Sequence, residues 1–282
     1  MAKNLDVRVS DTLWEALHDR AESSGQSVSH LVQAALAEAL DVEHHSIFQV
    51  STSGAIVEGL FQGCVSVADL RRHGDLGLGT FEDLDGEMIL LDGHCYRARA
   101  DGSVTEAGDD DLTPFASVVN FAADSVAEVE GITSWAELTA HLDGQRTSAN
   151  GMVAIRAAGT FASLDLRAAC RHASGTDLVT ATADQGLFHR EGISGTLVGF
   201  WSPDYTKSIA IAGYHIHFIS DDRQHGGHVL DLVVDRLPLE IQQVTDIHLA
   251  IPETTEFLEA DFSRDPMQAL AEVEHDKRGK SS

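Results

Sequence analysis

Gly213-Tyr214-His215-Ile216-His217-Phe218-Ile219-Ser220, then Asp221-Asp222-Arg223-Gln224-His225-Gly226-Gly227-His228, then Val229-Leu230-Asp231-Leu232-Val233-Val234 is the stretch that decides the fold. In a β-strand the side chains of residues i and i+2 share a face. His215 and His217 therefore point one way, and Tyr214, Ile216 and Phe218 fill the other face. Ser220 to Gly227 is polar with paired glycines, the composition of a hairpin loop. The chain then returns through His228 into an apolar run. Two imidazoles on one strand and a third on its partner make a facial three-histidine site for a divalent metal. Three protein ligands with one open position is the catalytic pattern, not the closed structural one. His-x-His is short and the chain holds 15 histidines, so a coincidental cluster is the alternative at this point.

Composition narrows the function classes. The 282 residues are 43% hydrophobic, enough for one large domain, or a medium domain and a small one, with an ample core. No run of about 18 uncharged apolar residues indicates a membrane span. Met1-Ala2-Lys3-Asn4-Leu5-Asp6 lacks the apolar core of a secretory signal, so a cytoplasmic location is expected. Cys64, Cys95 and Cys170 are odd in number and widely spaced. They form neither a disulfide framework nor a zinc ribbon, and read as buried thiols in a reducing interior. The 45 acids against 19 Lys plus Arg leave a net charge of −26, and only Lys3, Lys207, Lys277 and Lys280 are lysines. Such an acidic, lysine-poor surface resembles proteins of salt-loving organisms, since at about 1 M salt the Debye length of about 3 Å screens self-repulsion. An ordinary acidic protein is the alternative. Either way the charge disfavours general nucleic-acid binding.

The first 43 residues read as a separate unit. Leu5, Val7 and Val9 alternate with polar residues, as in a short strand. Ser10 or Asp11 can cap a helix carrying Leu13, Leu17 and Ala21, which Ser24-Gly25 stops. Ser27 can cap a second helix with Leu31, Val32, Ala35, Leu36, Ala39 and Leu40 on one stripe. About 40 residues cannot bury a core alone. The segment resembles a ribbon-helix-helix module, on Leu5-Asp6-Val7-Arg8-Val9-Ser10, the Gly25 turn and Ser27-Val28-Ser29-His30-Leu31. The resemblance implies a homodimer formed by strand pairing between chains, with Asn4, Asp6 and Arg8 outward, where members of that family contact DNA. Residues 1–43 hold three bases against eight acids, a net charge of −5, which departs from the basic footprint of DNA binding. Dimerisation is the expected role and DNA contact the alternative.

From residue 44 to 282 a second domain is expected, α+β but mainly β. Strands are predicted over 47–51, 87–91, 152–157, 195–200, 208–219, 229–234 and 243–250. Helices are predicted over 65–72 after a Ser66 cap, 134–142 and 266–275, with an acidic solvated loop over 105–112. The run His73-Gly74-Asp75-Leu76-Gly77-Leu78-Gly79-Thr80-Phe81-Glu82-Asp83-Leu84-Asp85-Gly86-Glu87-Met88 is rich in glycine but lacks the Gly-Lys-Ser/Thr end of a phosphate loop. Close glycines let backbone approach a ligand, making Thr80 and Glu87 candidates for a site. A lone carboxylate beside a turn is the other reading of Glu87. His44-His45 read as linker, His225 as a solvated loop residue and His73 as a structural hydrogen-bonding group. Trp201, Pro203 and Tyr205 read either as pocket wall or as core.

That glycine-rich run, with Phe48-Gln49-Val50-Ser51-Thr52-Ser53, Gly63, Thr113-Pro114-Phe115-Ala116 and Gly159-Thr160-Phe161, resembles the N-terminal half of α-acetolactate decarboxylases. Ser194-Gly195-Thr196-Leu197-Val198-Gly199-Phe200, the His215/His217 strand and Gly226-Gly227-His228 are similar to their C-terminal half. The resemblance runs from about residue 45 to 275. It implies a mixed, barrel-like β-sheet domain and zinc held by His215, His217 and His228, although three imidazoles also suit other first-row divalent ions. It implies further site groups at Glu87, Arg167, Thr80 and a C-terminal glutamate at Glu274, with Glu272 as the alternative. The implied reaction converts 2-acetolactate to (R)-acetoin and carbon dioxide. Loss of the carboxylate leaves an electron pair on the former ketone, as an enediolate that a Lewis acid stabilises. A guanidinium suits the substrate carboxylate, and a carboxylic acid must return a proton to one face. A regulator that uses a decarboxylase-like domain as a metabolite sensor is the alternative function.

Overall fold

The computed structural model describes residues 5–40, 45–263, 265, 266, 269 and 270. Its first elements follow the capping logic. The Ser10 hydroxyl accepts from the Leu13 amide to open α1 (Asp11–Ser24), and Gly25 closes it at φ 70°, the left-handed backbone glycine adopts at least cost. The Ser27 hydroxyl accepts from the His30 amide at the start of α2 (Val28–Leu40). Leu5 to Ser10 run into α1 without a strand partner in the single chain, and Leu5, Val7, Val9, Leu13, Val32, Leu36 and Leu40 are exposed.

The large domain then forms in chain order. It opens with β1 (Ser46–Val50), α3 (Ser53–Val57), β2 (Val65–Ser66), α4 (Val67–His73) and β3 (Leu76–Thr80). β4 (Glu87–Leu91), β5 (His94–Ala98), β6 (Val104–Glu106), β7 (Leu112–Thr113), β8 (Phe115–Val119) and β9 (Ser125–Ile132) follow. After α5 (Trp135–Gln145) come β10 (Met152–Ala168), α6 (Leu178–Ala181), β11 (Gly186–Ser202), β12 (Gly213–Ser220), β13 (Gly226–Val244), β14 (Asp246–Ala250) and α7 (Thr255–Glu259). Among the described residues one sheet has the order β14-β1-β8-β3-β4-β5-β6 and another the order β10-β11-β12-β13-β9. In the second, β13 also pairs with β10, so four strands close on themselves in a barrel. The domain is mainly β with scattered helices, as expected. No helix of the described residues is long and apolar enough to cross a membrane.

Strand alternation sorts each sheet into two faces. Phe161, Leu164, Leu197, Ile216, Phe218 and Leu232 fill the barrel interior, with Leu138 and Leu142 of α5 in the same cluster. Ile47, Leu76, Leu78, Ile89 and Leu91 of the first sheet meet Ala154, Val198, Phe200 and Ile219 of the second. Met88 and Leu90, one residue out of phase, pack with Val67 and Leu70 of α4. His215 and His217 share the outward phase of Ile219. They therefore face the first sheet, not the barrel interior.

Several expectations need correction. His45 is no linker residue: it is buried, at φ 55°, with Nδ1 2.6 Å from the Gln243 carbonyl. The 105–112 stretch is largely exposed, as a solvated loop would be, but Asp109 and Asp111 tie it to Arg71 and Arg97. The strand predicted over 208–219 starts only at Gly213, after a turn at Asp204–Thr206. His225 is half-buried, with Nδ1 3.4 Å from Arg190 Nε. The His73 ring also stacks on Phe48 at 3.8 Å, a structural role as expected. Trp201 belongs to the core, with the Arg146 guanidinium 3.6 Å above its ring. The helix predicted over 266–275 lies largely outside the described residues.

Candidate metal centre

Register places the candidate groups in one row. On β10, β13 and β12, Arg167 lies opposite His228, and His228 lies opposite His217. His215 follows two residues away on the same face of β12. Tight approach of the three strands depends on Gly227, whose φ is 151°. A Cβ there would stand 2.6 Å from the Arg167 carbonyl oxygen, so only glycine allows β13 to lie this close to β10. Across the gap, β3 and β4 set Thr80 directly opposite Glu87.

The three imidazoles are buried, and one ligand atom from each lies within 4.8 Å of the others. His217 Nδ1 is 2.8 Å from the Met88 carbonyl. A carbonyl only accepts, so Nδ1 carries the proton and Nε2 is left with its lone pair. That lone pair lies 3.1 Å from His215 Nε2. A tetrahedral ion with metal–nitrogen bonds of about 2.0–2.1 Å separates its ligand atoms by roughly 3.3 Å. The donor spacing fits a metal, and the Met88 carbonyl is the outer-shell group that orients its ligand. Burial, with His217 and Arg167 next in weight, pushes the His215 pKa well below that of free histidine. The imidazole is therefore neutral, the form that binds metal.

The Glu87 carboxylate spans the candidate ligands and the cleft. Its Oε1 accepts from the Ala169 amide at 3.2 Å, and its Oε2 stands 3.5 Å from His217 Nε2. Burial raises its pKa against the opposing pull of Arg167 and of the Ala169 amide, which favours a carboxylic acid that can donate a proton. Arg167, 4% exposed, donates from Nη1 to Gln185 Oε1 at 3.2 Å. Thr80 donates from Oγ1 to the Gly86 carbonyl at 2.8 Å, which buttresses the turn that presents Glu87. Thr80, Glu87, Arg167 and His215 line one cleft, with Ile56, Phe115, Leu178 and Leu270 among its apolar walls.

Six of the seven expected site residues thus come together: Thr80, Glu87, Arg167 and His215 line the cleft, and His217 and His228 cluster with His215. The seventh, Glu274, lies outside the described residues, as does its alternative Glu272; Leu270, which is described, lines the cleft. Gly79 lines the cleft, as expected of a close glycine, and Gly77 and Gly79 both have a packing role besides. A Cβ on either would strike the β8 backbone, at 2.4 Å from the Ser117 oxygen or 2.3 Å from the Phe115 oxygen. They are needed chiefly to pack two strands. Sequence reasoning missed Gln185, the Met88 carbonyl and the Ala169 amide. Backbone groups carry no residue signature, and Gln185 stands 18 positions from the arginine it holds.

The comparisons identify the family. The family model for Alpha-acetolactate decarboxylase matches residues 47–264. An alpha-acetolactate decarboxylase of Lactococcus lactis subsp. cremoris is 36% identical over 228 residues, covering 80% of this chain and 97% of that protein. One from Methanosarcina mazei is 35% identical over 253 residues, with 89% and 86% covered. The crystal structure of alpha-acetolactate decarboxylase from Bacillus subtilis strain 168 superposes with a TM-score of 0.79 at 32% identity, covering 82% of this chain and 100% of that one. With the match spanning both sheets and every described site residue, the chain belongs to the alpha-acetolactate decarboxylase family.

Proposed function

We propose that the protein decarboxylates 2-acetolactate to (R)-acetoin and carbon dioxide, with zinc held by His215, His217 and His228. The observation that carries this reading is the cluster of three buried imidazoles beside a buried carboxyl and a buried guanidinium that share a cleft with His215. When bound, the ion supplies a Lewis acid for the negative charge that develops as the carboxylate leaves. Arg167 holds the substrate carboxylate, with Gln185 fixing the direction of its fork. Glu87 returns a proton to one face of the enediolate, and its raised pKa keeps that proton available. Thr80 keeps the Glu87 turn in place. The family resemblance implies Glu274 as a second acid–base group. The apolar residues Ile56, Phe115 and Leu178 exclude water, which strengthens each of these interactions.

The chain divides in this reading into a dimerisation module at residues 1–43 and the decarboxylase domain at 44–282. α2 turns about 100° per residue and sends His30 toward the large domain, where its ring meets His45. Val32, Leu36 and Leu40 lie on the other side, exposed. With Leu5, Val7 and Val9 they form the surface a second copy would cover. The acidic surface suits a salt-rich cytoplasm. Residues 5–40 hold six acids against Arg8 and Arg20, which disfavours the DNA-binding regulator.

Acetoin formation by purified protein in molar salt, before and after chelation, tests the proposal. Turnover should vanish on chelation and return with zinc. Zinc binding with carbon dioxide release absent would point to another metal lyase on the same scaffold.

A further inference from the structure

A second convergence of metal-binding side chains lies where α2 meets the large domain. Ligand atoms of His30, His45 and Asp124 lie within 4.8 Å of one another. The three come from separate parts of the chain: His30 from α2, His45 from the residue before β1, and Asp124 from the residue before β9. All are removed from bulk water, with His30 6% and His45 2% exposed and the Asp124 side chain 5% exposed. The His30 and His45 rings are 4.1 Å apart between centroids.

Each group is held from behind. His45 Nδ1 is 2.6 Å from the Gln243 carbonyl. It therefore carries the ring proton, and Nε2, 3.5 Å from Asp124 Oδ1, presents a lone pair. Asp124 Oδ2 accepts from the Gln243 amide at 2.7 Å, and no described residue donates a hydrogen bond to Oδ1. His30 Nε2 is 3.0 Å from the terminal amide of Gln26. With that amide turned so that its oxygen accepts from Nε2–H, the lone pair moves to Nδ1. A ring N–H held by a carbonyl, with the other nitrogen left to face an ion, is the outer-shell arrangement of metal-binding histidines, and His45 has it. His45 also sits at φ 55°, an uncommon conformation for a residue with a Cβ. Its own carbonyl holds it there, accepting from Thr245 and Asp246.

The geometry points to a second divalent metal site, formed by His30, His45 and Asp124, that fastens the helical module to the decarboxylase domain. Two imidazoles and one carboxylate are a donor set for zinc and its first-row neighbours, with a fourth position left for water. The ligands span the junction, so the ion would fix where the α1–α2 module stands without touching the cleft. The site is independent of the cleft metal, and its failure is distinguishable from failure of the decarboxylase reading.

The test is zinc stoichiometry on the full-length chain, loaded with zinc alone after chelator treatment. Wild type should hold two ions per chain. Asp124→Asn, which keeps the side chain's shape and the hydrogen bond from Gln243, should hold one and retain decarboxylase activity. His30→Ala should do the same, and His217→Ala should hold one while losing activity. Hydrogen exchange over residues 28–40 should slow on zinc addition in wild type and stay unchanged in Asp124→Asn. One ion per chain in wild type, with the same count in Asp124→Asn and His30→Ala, would overturn the inference. So would a zinc-independent exchange rate over residues 28–40 in wild type.

Discussion

Gly227→Ala probes whether strand spacing, and not ligand identity alone, builds the metal centre. The added methyl would start 2.6 Å from the Arg167 carbonyl oxygen, far inside van der Waals contact. The residue would also keep a φ of 151° that L side chains rarely adopt. Strain of this kind costs about 1–3 kcal/mol, and forcing an atom into a packed site costs a similar amount. Partial relaxation leaves a net loss of about 2–4 kcal/mol. At roughly 2–4 °C per kcal/mol for a domain of this size, Tm falls by about 5–15 °C. The relaxation available is a shift of β13 away from β10, which carries His228 away from His217 and Arg167. Displacement of a catalytic group by about 1 Å costs on the order of 100-fold in rate. Differential scanning calorimetry and acetoin assays on the same preparation, with Gly108→Ala as control at a position where a Cβ would meet nothing closer than 3.8 Å and the backbone is not left-handed, measure both effects. A variant that matches wild type in Tm and turnover would refute the claim that this glycine sets the register of the site.

Three further outcomes follow from the geometry. Glu87→Gln keeps the hydrogen-bond acceptor for the Ala169 amide but removes the acid. Turnover should drop by about 100- to 10,000-fold with zinc content intact, read by metal analysis beside the acetoin assay. Arg167→Lys keeps the charge but loses the fork, a loss of roughly 1.5–3 kcal/mol in charge-assisted hydrogen bonding. KM for acetolactate should rise about 10- to 100-fold, more than kcat falls. Leu36→Glu places a charge on the exposed stripe of α2, and size-exclusion chromatography should show a shift from dimer to monomer with turnover per chain retained.

The local part of this site was legible, and its long-range part was not. Period-two reading placed His215 and His217 on one face because their alternation with Tyr214, Ile216 and Phe218 is a property of a single strand. Helix starts at Ser10, Ser66 and Ser134 were equally legible, since a hydroxyl capping the amide three residues on is local chemistry. The pairing of Arg167 with His228 spans 61 positions and is fixed by the β10–β13 register, which no short window contains. β10 was read as 152–157 although it runs to Ala168, because its middle turns outward with Gly159 and Thr160 and loses apolar alternation. The run 243–250 was read as one strand. It breaks at Thr245, where the chain leaves antiparallel pairing with β10 for parallel pairing with β1. His45 was misread for the opposite reason: a histidine beside a domain boundary has linker composition, and only the fold brings Gln243 and Asp124 to it. The family resemblance supplied Arg167 and Glu87 as partners of the histidines before any register was known.

The central claim is that the three histidines hold the ion on which turnover depends. Zinc content and acetoin formation, measured on wild type and His217→Ala in molar salt, test it most directly. The variant should lose the cleft ion and essentially all acetoin formation while keeping its far-ultraviolet circular dichroism. A His217→Ala protein with wild-type zinc content and wild-type turnover would contradict the account.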